Sequence, residues 1–134
     1  MRPHHELRVW QDAMALVGKL YALTAGFPAE ERFGLTAQIR RAAVSVPSNI
    51  AEGAARGTVR DFLRFLIVAR GSLSELDTQV RIARHLGFGD DPGLLREIED
   101  LQASLGSLIK GQRARISHSQ AAKPPTSQAA QRPS

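Results

Sequence analysis

Between Gln38 and Arg56 the chain reads QIRRAAVSVPSNIAEGAAR, a stretch with helical spacing and a proline near its centre. Gln38, Arg41, Ser45, Asn49, Glu52 and Arg56 recur at three- and four-residue steps, so they share one helix face. Leu35, Ile39, Ala42, Val46, Ile50 and Gly53 recur in the same way on another face. Pro47 cannot donate to the Ala43 carbonyl, and its ring crowds that carbonyl, so the helix is expected to kink there. Ser45 and Ser48 flank the break and can satisfy freed backbone groups. The start of this helix falls between Ala29 and Leu35, and its end near Arg56.

Three further segments share the helical period. From Leu7 to Ala25, Trp10, Met14, Val17 and Tyr21 form one apolar seam, and Val9, Ala13, Leu16, Leu20 and Leu23 form a second beside it. Together they are broader than a two-helix contact needs. Gly26 and Pro28 supply the stop. Thr58, with Asp61 three residues on, resembles a capping box. Behind it Phe62, Leu66, Ala69, Leu73, Leu76, Val80 and Ala83 run at alternating four- and three-residue steps, a coiled-coil-like seam. Gly87 reads as the C-terminal stop, with Arg84 and His85 near the negative end of the helix dipole. Asp91 and Pro92 then read as N-cap and first position of a last helix. Its seam is Leu94, Ile98, Leu101, Leu105 and Leu108.

From Ser117 onward the chain is Ser, Gln, Ala and Pro with almost no bulky apolar side chain, and it reads as a disordered tail. The expected organisation is one all-α domain over residues 1–116 and a tail over 117–134. Four helices with short connections give an antiparallel up-down four-helix bundle, with the second helix kinked at Pro47. Strand signals and solenoid repeats are absent.

Composition narrows the chemistry. There are no cysteines, which removes disulfides, thiolate metal sites and cysteine nucleophiles. No stretch approaches the roughly 20 apolar residues that span a bilayer. Glu6, Arg8, Asp12 and Lys19 interrupt the N-terminal region, which therefore does not read as a signal peptide, and a cytoplasmic location is expected. Di-iron bundles need paired Glu-x-x-His motifs, which this chain lacks, and its four histidines have no ligand spacing. Neither a metal nor a cofactor is expected, and phosphate-binding loop fingerprints are missing.

Two groups of polar residues remain. Glu52 and Glu75 fall on the polar faces of the second and third helices and can approach each other. Two carboxylates can serve acid–base work, but no nucleophile or oxyanion donor set accompanies them. A structural network of Gln38, Arg41, Ser45, Asn49, Glu52 and Glu75 that fixes helix register is the favoured reading. The formal charge is +5, and fifteen of the 18 basic residues are Arg, which suits bidentate phosphate contact. Arg40, Arg56, Arg60, Arg64, Arg81 and Arg84 are the basic candidates. Arg56, Arg60 and Arg64 cluster at the second interhelical turn, and there they are the candidate nucleic-acid contacts. The surplus seam on the first helix is expected to be covered by another copy of the chain.

Several stretches resemble a known bacterial four-helix-bundle family, first found encoded in intervening sequences of 23S ribosomal RNA genes. They are LRVWQDA at Leu7–Ala13, FGL at Phe33–Leu35, QIRRAA at Gln38–Ala43, SVPSNIAEG at Ser45–Gly53 and ARGSLSEL at Ala69–Leu76. The resemblance spans about Leu7 to Leu108 and leaves out the tail. It implies a bundle that assembles into a ring, commonly a pentamer. The family is similar to accessory variability proteins of diversity-generating retroelements, basic pentamers that bind nucleic acid and a reverse transcriptase. The expected function is therefore a non-enzymatic homo-oligomer that binds RNA or DNA through Arg clusters repeated around a ring. The alternative is a protein-interaction scaffold with no nucleic-acid role, docking a protein partner at the groove around Pro47 or through the tail. An enzyme using Glu52 and Glu75 comes third.

Overall fold

The computed structural model describes residues 4–121, and among them there are four α-helices and no strand. They are α1 (Arg8–Ala25), α2 (Leu35–Ala55), α3 (Val59–His85) and α4 (Pro92–Ala121). Short 3-10 turns at His4–Glu6 and Ala29–Glu31 precede α1 and α2. The last helix runs past the expected boundary at 116, because Ser117–Ala121 continue it. Residues 122–134, the rest of the expected tail, lie outside the described residues.

Local chemistry sets the helix ends. Thr58 is extended, and its Oγ1 accepts from the Asp61 backbone N–H at 3.1 Å, satisfying one free donor of the first turn of α3. The Asp61 carboxylate turns to Arg64 instead of back to Thr58, so only half of a capping box forms. At the other end of α3, Gly87 has φ +74. There the Phe88 N–H reaches the Ala83 carbonyl at 3.0 Å and the Gly87 N–H reaches the Arg84 carbonyl at 3.1 Å. This paired closure needs a left-handed residue at Gly87. The Asp91 carboxylate accepts from the Gly93 N–H at 3.2 Å and opens α4, with Pro92 in the first position. Gly34 has no side chain with which to cap α2, and Glu31 Oε1 accepts from the Leu35 N–H at 3.0 Å in its place.

The apolar stripes meet in one core. All six residues of the α2 stripe are buried, and so are all seven of the α3 seam. In α4 Leu94, Ile98, Leu101 and Leu105 are buried, but Ile109 takes the place expected for Leu108, which is only partly covered. A straight helix drifts against a strict seven-residue repeat, which moves the buried position along by one. In α1 the two seams separate: Val9, Ala13, Leu16 and Leu20 are buried, whereas Met14 and Tyr21 stand exposed. α2 continues as one helix through Pro47, which is itself buried.

Each helix packs on two neighbours: α2 on α1 and α3, and α4 on α3 and α1. Among the described residues the backbones of α1 and α3, and of α2 and α4, stay more than 8 Å apart across the core. Arg40 reaches Tyr21 and Thr24, while Pro47 and Ala51 border Trp10 and Met14, so α2 ascends as α1 descends. Ser45 meets Ser72, and Gly53 lies against Phe62 and Phe65, so α3 runs opposite to α2 in turn.

Candidate interaction site

α2 separates two grooves of different character. The groove it forms with α3 is polar, has a volume of about 320 Å³, and is lined by Gln38, Arg41, Ser45, Ser72, Glu75 and Gln79. At its floor the Ser45 and Ser72 hydroxyls share a hydrogen bond of 2.9 Å. Asn49 Nδ2 donates to the Ser45 carbonyl at 2.8 Å and to Ser45 Oγ at 2.9 Å. Ser45 and Asn49 thus join the expected network, with Ser72 as a partner that sequence reasoning missed. Its signal was a hydroxyl inside the α3 seam, one step from Ala69 and one from Leu76. Gln79 Oε1 is buried with no hydrogen-bond partner. Arg41 and Glu75 line the groove without an ion pair among the described residues.

Glu52 leaves this group. It accepts from Arg56 Nε at 3.0 Å and Nη2 at 2.8 Å on the exposed side of α2. The α2–α3 register sets Glu75 beside Arg41, some three turns or roughly 15 Å along α2 from Glu52. The two carboxylates expected to approach each other are therefore apart.

The basic candidates are mostly committed. Arg56 and Arg64 both stand over the Phe65 ring, 5.3 and 4.9 Å from its centroid, at the α2–α3 turn. Arg56 also pairs with Glu52, and Arg64 with Asp61 at 3.4 Å. Arg60 is exposed at the same turn and forms no ion pair among the described residues. Arg40 serves the fold: its guanidinium stacks 4.4 Å from the Tyr21 ring and donates to buried Thr24 Oγ1 at 2.8 Å. Arg84 pairs with Asp90 at 2.9 Å. Arg81 pairs with Asp77 and Glu99, and its hydrogen bond to Asp77 raises its pKa above the usual arginine value. Paired arginines of this kind stay charged but offer less net field to a phosphate.

The groove between α2 and α1 is apolar. Trp10, Met14, Val17, Val44, Pro47 and Ala51 line a volume of about 320 Å³. Met14 is 47% exposed and Val44 43% exposed. The seam of α1 that the core does not use forms one wall, and the buried ring of Pro47 lies within it. The His4 and His5 rings pack against Trp10 in T-shaped geometry, at centroid distances of 5.2 and 6.1 Å. No group of three or more His, Cys, Asp or Glu among the described residues is arranged to hold a metal ion. No helix among them is long and apolar enough to cross a membrane.

Four packed helices, with a hydroxyl-floored polar groove on one side of α2 and an apolar groove on the other, define a four-helix-bundle protein. Residues 5–111 match the model of the 23S rRNA-intervening sequence protein family, and the chain belongs to that family. Among curated proteins, no sequence matches it.

Proposed function

We propose that the chain is a non-enzymatic, cytoplasmic homo-oligomer, assembled as a ring, that presents Arg56, Arg60 and Arg64 to the phosphates of RNA or DNA. The uncovered apolar groove carries this reading. Water contact on Trp10, Met14, Val17 and Val44 costs free energy that a neighbouring copy removes. The arginine turn supports the second half: a ring of five copies brings five such turns together, and phosphate contacts add through counterion release. The family's name, which joins it to an intervening sequence of 23S rRNA, supports an RNA setting. Light scattering with an absorbance ratio on freshly purified chain tests both halves. The expected result is a multiple of the single-chain mass, with RNA retained at low salt and released as salt rises. Retention should fall when Arg56, Arg60 and Arg64 are changed together to Gln at unchanged helix content. No retention at low salt ends the nucleic-acid half.

One observation favours a second reading, a protein-interaction scaffold without nucleic acid. Glu52 and Asp61 already neutralise Arg56 and Arg64, so the turn is left with the charge of Arg60 alone. Recovery of a defined protein partner, with no bound nucleic acid, distinguishes it.

A further inference from the structure

Every large apolar side chain that stands exposed among the described residues lies on α1, α2, α3 or the turns at Phe33 and Leu86, and none lies on α4. Two patches stand out, and they flank α2. One is the α1–α2 groove. The other is a stripe on α3, where Val68, Glu75 and Ile82 recur at seven-residue steps on the outward side. Val68 is 47% exposed and Ile82 42% exposed.

The two patches also match in level and charge. Ser72 meets Ser45, so Val68, one turn earlier on α3, stands level with the part of α2 that Pro47 and Ala51 present to the groove. Glu75 and Arg41 line one polar groove and share a level. Arg41 stands next to Val44 on the outward side of α2, and neither Arg41 nor Glu75 has an ion-pair partner among the described residues. A stripe with an acid between two apolar residues thus complements in charge a groove with a base at its rim.

Resting on the self-assembly reading above, we propose that the α3 stripe of one copy seats in the α1–α2 groove of the next. Val68 covers Met14, Val17 and Val44, and two turns further along α3 Glu75 of one copy meets Arg41 of the other at the rim. The contact joins two different surfaces, so it repeats head to tail and closes as a ring when the rotation allows. Both patches lean toward α2, which places α2 on the inner side of the ring and α4 on the outer.

Two full-length variants test the contact, Val44→Asp on the groove and Val68→Asp on the stripe. Both sites are already exposed, and circular dichroism checks that helix content is retained. Each variant alone should sediment as a single chain. An equimolar mixture should give a two-chain species, because the Val68→Asp variant keeps an intact groove and the Val44→Asp variant an intact stripe. A mixture that stays single-chain overturns the pairing, as does either variant assembling like the native chain while the native chain is oligomeric. A native chain that is single at every concentration overturns the self-assembly reading itself.

Discussion

Gly53 lies so close to α3 that a Cβ on it would fall 2.8 Å from the Phe65 Cβ and 3.3 Å from the Phe62 carbonyl. That approach lets α2 and α3 pack backbone to backbone just before the turn. It also positions Phe65 where Arg56 and Arg64 stand over its ring. Alanine at Gly53 gains helix propensity, but α3 must move to admit it. Gly53→Ala should destabilise the fold by about 1–3 kcal/mol in urea unfolding. Gly111→Ala, at an exposed helical site with nothing within 4 Å, should instead stabilise by up to about 1 kcal/mol.

Arg40 joins α1 to α2 through directed bonds rather than charge. Its planar fork stacks on Tyr21, donates to Thr24 Oγ1, and reaches the Tyr21 carbonyl at 3.4 Å near the end of α1. Thr24 is buried, and its hydroxyl also donates to the Leu20 carbonyl at 2.8 Å. Arg40→Lys keeps the charge but loses the fork. It should cost about 1–2 kcal/mol, close to the cost of Arg40→Met, and equal stability of Arg40→Lys and the native chain in urea unfolding would refute the geometry.

Ser45 and Ser72 should behave as a coupled pair. Ser45→Ala strands the buried Ser72 hydroxyl and should cost about 1 kcal/mol or more, whereas Ser72→Ala leaves Ser45 Oγ with the Asn49 amide and should cost less. The double variant should cost less than the sum, with a coupling of at least about 0.5 kcal/mol in a double-mutant cycle. Strict additivity would mean that the hydroxyl contact contributes nothing.

The Thr58 cap predicts a local effect. Thr58→Ala should lower stability by about 1 kcal/mol, and Thr58→Asp should restore it, because a carboxylate also accepts from the Asp61 N–H. Hydrogen exchange at the first turn of α3 reports the change directly.

The elements that sequence made legible are those fixed by short-range chemistry. Thr58, Gly87 and the Asp91–Pro92 pair mark helix ends because a cap needs particular atoms within a few residues. The α3 seam was legible because its period is unbroken. The polar stripe on α2 was also legible, but its partners were not. Glu52 pairs with Arg56 one turn on, and Arg41 lies some three turns away along the same helix, so residues that share a face do not all share a level. The Lys19–Glu97 ion pair between α1 and α4 was invisible for the same reason, since it depends on helix register. Phe65 lies off the α3 seam, and only the close approach at Gly53 makes it a platform for two arginines. On α1 the period showed two seams without telling which the core takes.

Trp10 is the only tryptophan of the chain, and it lines the groove on which the assembly depends. Val68 sits on the exposed side of α3, whose backbone stays more than 8 Å from that of α1 in the same molecule among the described residues. The decisive measurement compares Trp10 fluorescence emission in the native chain and in the Val68→Asp variant at equal concentration. A neighbour's α3 over the groove predicts bluer emission in the native chain and a red shift in the variant, with helix content unchanged. Identical emission in the two, with the native chain assembled, would contradict it.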